Sequence, residues 1–110
     1  MIRILAYRFS AFGDVAMTAP VFREVLEQNP DLEIVLVSRN NFRDLFEGIP
    51  NLIFKGIDID DYKGFFGMRK LSNELIKEFN PDFIADLHNV IRTKILDTIF
   101  KKRGFKISVL

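Results

Sequence analysis

The chain has 110 residues, of which 48% are hydrophobic, and its 16 basic and 15 acidic side chains leave a net charge of +1. This size and apolar content predict a single domain over residues 1–110 with a substantial core, and they exclude a disordered tail. The near-zero charge offers no general attraction to nucleic acid, and the absence of cysteine excludes disulfides, thiolate metal sites and cysteine nucleophiles.

The two ends of the chain bear on location and completeness. The N-terminus enters a strand pattern at once without cleavage-site chemistry, and no apolar run is long enough to span a bilayer. We therefore expect a cytoplasmic protein. The apolar segment Ile107–Leu110 resembles the beginning or middle of a strand, so we expect the chain to be the front part of a longer protein.

The first half of the chain predicts two strands around one helix. Ile2–Tyr7 is a short apolar run typical of a buried strand, and Glu33–Val37 is a second. Between them Pro20 can lie in the first turn of a helix or kink it, so that the helix can begin as early as Asp14. The apolar face of this helix consists of Val21, Phe22, Val25 and Leu26.

The middle of the chain predicts a short helix and a third strand. Asn40 or Asn41 can cap the helix, which continues to Phe46. The third strand is expected at Leu52–Ile57, and an acidic loop is expected over residues 58–67.

The second half repeats the alternation of helix and strand. A helical stripe precedes a fourth strand, Phe83–Leu87, and a further helix, Val90–Lys102, leads to a fifth strand, Phe105–Leu110. The inward positions are Leu71, Leu75, Ile76 and Phe79 in the first of these helices and Ile91, Ile95, Ile99 and Phe100 in the second. Alternating elements with continuously apolar strands predict an α/β fold, an open parallel sheet of about five strands with helices on both faces.

The turn between the first strand and the first helix is the main candidate for a functional site. In open α/β sheets, ligands bind where the strands end, and a helix N-terminus adds partial positive charge. Ser10 supplies a hydroxyl, Asp14 a carboxylate able to accept a proton, and Gly13 either lets a ligand approach or adopts positive φ. The structural alternative is that Asp14 is an N-cap and Gly13 only a turn residue.

A second candidate segment follows the fourth strand. His88, Asn89 and Arg92 are expected at the same sheet edge as Ser10 and Asp14. The histidine can donate a proton or bind a hydroxyl, and the arginine can hold an anion. The structural alternative is a turn histidine with satisfied hydrogen bonds, a capping asparagine and a surface arginine.

Two further observations concern metal and nucleotide binding. Asp58, Asp60 and Asp61 match the Asp-x-Asp string with which some sugar transferases hold a divalent metal, although a solvated loop is the favoured interpretation. The turn between the first strand and the first helix lacks the motifs Gly-x-Gly-x-x-Gly and Gly-Lys-Ser/Thr. Their absence disfavours both dinucleotide binding and a P-loop.

The two candidate segments together resemble a known family. Arg8–Val15 followed by Thr18-Ala19-Pro20 is similar to Arg-x-Ser-Ala-x-Gly-Asp-Val and Thr-x-Pro, the N-terminal signature of glycosyltransferase family 9, the ADP-heptose:lipopolysaccharide heptosyltransferases. Asp82–Asn89 is similar to the family's Asp-hydrophobic-hydrophobic-hydrophobic-Asp-Leu-Gln-Gly. The chain departs from the family pattern at Phe12, where leucine is usual, and at His88-Asn89, where Gln-Gly is usual.

The resemblance implies a GT-B fold, of which this chain would be the Rossmann-like N-terminal, acceptor-side domain. We predict that its five parallel strands lie in the order 3-2-1-4-5. The family is inverting and uses neither a metal nor a cofactor. Its general base falls on Asp14, which would deprotonate the acceptor hydroxyl, and Ser10, Gly13, His88, Asn89 and Arg92 would lie on the acceptor side.

The implied partners are a nucleotide-sugar donor, a lipopolysaccharide-core acceptor and the protein's own C-terminal donor-binding domain. Contact with the inner face of the membrane is also implied, and the isolated chain is expected to be inactive. The alternative is a non-catalytic α/β module that binds a small anion or nucleotide in the same crevice. A phosphoacceptor receiver domain is disfavoured because the first strand is not followed by an acidic pair.

Overall fold

The computed structural model describes residues 1–109, apart from the side chain of Ile91. Within residues 1–109, five strands alternate with three α-helices and two short 3₁₀ helices. The strands are β1 (Ile2–Tyr7), β2 (Leu32–Arg39), β3 (Leu52–Ile57), β4 (Phe83–Asp86) and β5 (Ile107–Val109). The α-helices are α1 (Phe12–Gln28), α2 (Gly64–Phe79) and α3 (Ile91–Lys102), and the 3₁₀ helices are Asn40–Phe46 and Ile59–Asp61.

All five strands form one parallel sheet in the order β3-β2-β1-β4-β5, as predicted. Strand β1 is central, with Tyr7 paired to Val37 of β2 on one side and to Asp86 of β4 on the other. The carboxyl ends of these three strands therefore lie side by side. The loops that follow β1, β2 and β4 emerge from this one edge of the sheet.

Each face of the sheet carries its own apolar core. Leu5, Tyr7 and Val35 point to the face covered by α2 and α3. Ala6 and Leu36, one residue further along each strand, point to the face covered by α1 and the first 3₁₀ helix. Burial on both faces explains why the strands are continuously apolar rather than alternating.

Several predicted element boundaries differ from the structure. Helix α1 begins at Phe12 rather than at Asp14, and Pro20 lies in its interior, where it removes the backbone bond to the Ala16 carbonyl. Arg39, not Asn40 or Asn41, is the N-cap residue of the 3₁₀ helix. The predicted loop 58–67 contains a 3₁₀ turn and the first turn of α2.

The ends of the last strands also differ from the prediction. Strand β4 ends at Asp86, one residue before the predicted end, and β5 begins only at Ile107. Leu110, the predicted end of the fifth strand, lies outside the described residues, as does the side chain of Ile91, which was predicted to point inward.

We predict that Gly67→Ala destabilises the fold. Gly67 lies in α2, and an added Cβ would lie 2.2 Å from the Tyr62 carbonyl carbon and 2.6 Å from its oxygen, which are backbone atoms. Helix propensity alone favours alanine by about 1 kcal/mol, but overpacking of this kind costs about 1–3 kcal/mol or more. Gly13→Ala in α1 is the matched control, because its Cβ would meet no atom within 4 Å. Urea denaturation should show a lower free energy of unfolding for the first variant and an equal or higher one for the second.

Candidate functional site

Asp14 lies in the first turn of α1 as an exposed, ion-paired carboxylate. The N-cap residue is Ala11, in extended conformation, so the alternative that Asp14 is the helix cap is wrong. Asp14 is the third residue of the helix, and its Oδ2 accepts a hydrogen bond from Arg8 Nη2 at 3.0 Å. The Asp14 side chain is 62% exposed, whereas that of Arg8 is 19% exposed. The carboxylate is therefore accessible to a bound molecule.

Gly13 belongs to the helix and has none of the features of a turn glycine. Its φ is not positive, unlike that of Gly48, Gly64 and Gly104, so one of the two roles predicted for it is wrong. A Cβ at this position would meet no atom within 4 Å. The free space above Gly13 is compatible with the other predicted role, the close approach of a ligand.

His88 joins the two candidate turns. Its Nδ1 accepts a bond from the Phe9 backbone N–H at 3.4 Å, and its Nε2 lies 3.3 Å from Ser10 Oγ. Because Nδ1 is an acceptor, the proton of a neutral ring lies on Nε2 and points to the serine. Burial, and then the positive charges of Arg8, Arg92 and Arg39, lower the pKa of His88. The ring is therefore neutral at pH 7, which favours hydrogen bonding over acid catalysis.

Ser10, His88, Asn89 and Arg92 line one cavity of about 770 Å³, which we call the Ser10 cavity. Asn89 adopts a left-handed backbone conformation with φ 53°, which asparagine tolerates better than most residues. The N-cap of α3 is Val90, so the predicted alternative of a capping asparagine is wrong. The other lining residues are Gly64, Met68, Val90, Lys94 and Ile95.

Asp14 lines a neighbouring cavity of about 520 Å³, the Asp14 cavity, rather than the Ser10 cavity. Its wall combines the Arg8–Asp14 ion pair with apolar side chains, among which Met17 and Val21 are exposed. Among the described residues, Gly13 lines neither of these two cavities. The two cavities lie on either side of the turn that follows β4, since Leu87 lines one and His88 the other.

Three arginines place positive charge around this edge of the sheet. Arg8 Nη1 donates to the Leu87 carbonyl at 2.5 Å, and Arg39 Nε donates to the Phe9 carbonyl at 2.7 Å. Arg8 Nε is buried and lacks a hydrogen-bond partner within residues 1–109. With Arg92 in the Ser10 cavity, these side chains make the carboxyl edge suited to anions.

The acidic segment after β3 has a local structural role. The Asp58 carboxylate accepts a bond from the Asp60 backbone N–H at 3.0 Å and so caps the short 3₁₀ turn. Over the part of the chain that the structure describes, no group of three or more histidine, aspartate or glutamate side chains could hold a metal. In the same residues, no helix has the length and apolar composition needed to cross a bilayer.

The sequence interpretation missed three residues of this region. Arg8 stands in the first motif and Arg39 ends β2, and a charged residue at the end of a predicted parallel strand is a signal that could have found both. Asp97, buried beneath the turn after β4, gave no such signal because it lies within α3 and resembles any solvated helix acid.

The structure is similar to solved glycosyltransferases. It matches a glycosyl transferase of family 9 from Veillonella parvula with a TM-score of 0.79 at 20% identity, covering 99% of this chain and 36% of that one. It matches the E. coli heptosyltransferase WaaC with ADP at a TM-score of 0.68 and 18% identity, covering 98% of this chain and 35% of that one. The chain thus spans about a third of each of these proteins.

The same fold occurs in another class of enzyme. A putative UDP-N-acetylglucosamine 2-epimerase from Listeria monocytogenes matches with a TM-score of 0.64 at 15% identity, covering 99% of this chain and 30% of that one. No protein-family model and no curated protein sequence matches the chain. The chain therefore has a glycosyltransferase-like α/β fold, and its sequence resemblance to family 9 is accompanied by structural similarity.

Proposed function

We propose that residues 1–110 form the acceptor-side domain of an inverting glycosyltransferase that transfers a heptose from ADP-heptose to a lipopolysaccharide inner-core acceptor. The observation that carries the proposal is Asp14, an exposed carboxylate at the carboxyl edge of a sheet that matches a family 9 structure over 99% of the chain. The donor would bind in a second domain encoded outside these residues. The protein would act in the cytoplasm, at the inner face of the membrane.

In the proposed reaction Asp14 is the general base. Its carboxylate takes the proton of an acceptor hydroxyl as that oxygen attacks the anomeric carbon of the heptose. The new carbon–oxygen bond forms while the bond from the anomeric carbon to the diphosphate breaks, and ADP leaves with the electron pair. Attack opposite the leaving group inverts the anomeric centre, and Arg8 keeps the carboxylate in place through its 3.0 Å contact.

The acceptor would lie across the two cavities. Its anionic and hydroxyl groups would be bound by Ser10, His88, Asn89 and Arg92. The sugar chain between these groups would pass the open space above Gly13. The test mixes ADP-heptose and the acceptor with the protein together with its donor-binding domain. This mixture should release ADP and yield glycosylated acceptor, which is measured as product formed. Binding of acceptor without any transfer would contradict the proposal.

A second candidate is a non-catalytic module for a small anion or nucleotide. The observation in its favour is the positive charge of Arg8, Arg39 and Arg92 around His88, which suits a phosphate without requiring a general base. Calorimetry with inorganic phosphate and ADP distinguishes the two functions. Binding of either anion by a protein that transfers no sugar, even with its second domain, would favour the module.

We predict that Arg92→Ala raises KM for the acceptor by about 10- to 100-fold, the range expected for the loss of a hydrogen bond to a charged group. The value of kcat should change little, because such contacts bind substrate and transition state alike. Arg92→Lys should recover part of the loss by retaining the charge. Lys102→Ala, an exposed cation at the far end of α3, is the matched control and should leave KM unchanged.

A further inference from the structure

Two carboxyl groups lie buried beneath the turn that carries His88 and Asn89. Asp86, the last residue of β4, is 0% exposed, and Asp97 in α3 is 6% exposed. Tyr7 is paired with Asp86 across the sheet, so the two side chains point to the same face, and there the Tyr7 hydroxyl bonds to Asp97. The two carboxyl groups are close enough for each to shift the pKa of the other. Within the described residues neither carboxyl group forms a salt bridge. No ion pair therefore compensates the charges of this pair.

Asp86 holds the turn directly. Its Oδ1 accepts hydrogen bonds from the backbone N–H groups of His88 and Asn89, each at 2.8 Å. Its Oδ2 is buried and has no conventional donor among residues 1–109. The Thr93 hydroxyl has one proton, which it can donate either to the Val90 carbonyl or to Asp86. A protonated Asp97 beside this carboxylate would supply the donor that Oδ2 lacks.

Asp97 is anchored from the other side by Tyr7. The Tyr7 hydroxyl donates to Asp97 Oδ1, and the tyrosine is itself fully buried at the end of β1. Its ring stacks with those of Phe9 and Phe100, at centroid distances of 6.3 and 6.2 Å. Burial and the bond to Asp97 raise the pKa of Tyr7, so it remains a donor at any physiological pH.

Two adjacent carboxyl groups in this buried site cannot both be ionised, because burial and the repulsion between like charges both disfavour a second negative charge. Burial and the neighbouring Asp86 raise the pKa of Asp97 to about 7. Burial also acts to raise the pKa of Asp86, but bonds from Asp97 and from the Asn89 and His88 N–H groups outweigh it and lower that pKa. The other titratable groups that face the pair are Tyr7 on β1, His88 in the turn and Lys101 on α3.

We propose that Asp86 and Asp97 share one proton and that this pair, anchored by Tyr7, positions the His88–Asn89 turn at the edge of the Ser10 cavity. Both aspartates are positioning residues, since neither lines the cavity. When the proton is lost, Asp86 Oδ2 loses its donor and faces a second negative charge. The turn that Asp86 Oδ1 holds then becomes less ordered, and with it the contacts of His88 to Phe9 and Ser10.

The significance of this pair for acceptor binding rests on the proposed function, but the test uses neither donor nor acceptor. We would follow the carboxyl ¹³C resonance of Asp97 and the amide resonances of His88 and Asn89 by NMR as a function of pH. The expected result is a midpoint near pH 7 for Asp97, with the Asn89 amide changing at the same midpoint. A midpoint below about pH 5, within the ordinary range for aspartate, or a flat Asn89 amide would overturn the proposal.

Asp97→Asn is the informative variant. Its amide N–H can donate to Asp86 and its carbonyl can accept from Tyr7, but it cannot ionise. In this variant the Asn89 amide resonance should stay at its low-pH chemical shift, and its change near pH 7 should disappear. Only the change caused by His88, whose pKa is lowered, should remain. Asp44→Asn, at an exposed position, should leave every midpoint unchanged. Persistence of the Asn89 transition in Asp97→Asn would contradict the proposal.

Tyr7→Phe supplies an independent check if the asparagine variant does not fold. The bond from Tyr7 lowers the pKa of Asp97, so its removal should move the Asp97 midpoint upward. An unchanged or lower midpoint would contradict the shared-proton arrangement. A protein that transfers no sugar but passes these NMR tests would contradict the proposed function and leave the positioning role intact.

Discussion

Replacement of Asp14 by asparagine should reduce sugar transfer by about 10²- to 10⁴-fold, the usual contribution of a general base. The amide keeps the shape of the carboxylate, and its oxygen can still accept the bond from Arg8, but it cannot take a proton from the acceptor hydroxyl. Because Asp14 is 62% exposed, the free energy of unfolding should change little. Initial rates of ADP release, with acceptor and ADP-heptose saturating, measure the effect on kcat.

Glu24→Gln is the matched control for this experiment. Glu24 is an exposed acid on the same helix and lies away from both cavities. It should retain the rate of the unaltered protein. If Asp14→Asn turned over at the same rate as this control, another group would have to be the base, and the assignment of Asp14 would be wrong.

The stability of the protein should depend on Asp97 between about pH 4 and pH 7. The pKa of Asp97 is raised from 3.8 to about 7 in the folded state, so within this range the folded chain binds more protons than the unfolded chain. Its contribution to the free energy of unfolding is therefore complete below the unfolded value and is lost as pH rises to about 7. The slope from one such proton is about 1.4 kcal/mol per pH unit at most.

Two neighbours act in the opposite direction. The lowered pKa of Asp86 contributes stability that is present above its unfolded value of 3.8 and is lost as pH falls through its folded value. The lowered pKa of His88 makes stability rise with pH up to about its ordinary value of 6.5. Because the asparagine amide can still donate to Asp86, comparing the unaltered protein with Asp97→Asn largely cancels these two contributions and leaves that of Asp97.

Urea denaturation at a series of pH values measures this difference. The free energy of unfolding of the unaltered protein should fall relative to Asp97→Asn as pH rises from 4 to 7. Asp44→Asn should follow the unaltered protein throughout. Parallel curves for the unaltered protein and Asp97→Asn would show that Asp97 titrates at the same pH in the folded and unfolded chain.

The positions of the strands were predictable because their signals are local. The runs that became β1 and β3 are short and apolar and are bounded by turn residues, and both were predicted with their observed limits. Helix boundaries were less predictable. Pro20 favoured a later or kinked beginning for α1, but packing of Val15, Phe22 and Leu26 against the sheet holds the helix together across it.

The candidate site was predictable only in part. The rule that parallel strands end at one edge correctly brought Ser10 together with His88, Asn89 and Arg92. It did not separate Asp14 from them, because the rule places residues at an edge without saying which cavity at that edge each side chain lines. The pair formed by Asp86 and Asp97 was not predicted, since the two residues meet only when α3 packs beneath the turn.

The sequence by itself determined the alternation of strands and helices, the parallel sheet and the two polar turns at its carboxyl edge, because apolar periodicity and turn chemistry act over a few residues. Only the tertiary structure decided the surroundings of those turns. Tyr7 and Asp97 are 90 residues apart in the chain yet share a buried hydrogen bond. Burial, and the pKa values that follow from it, depend on every element packed around a group and cannot be obtained from its sequence neighbours.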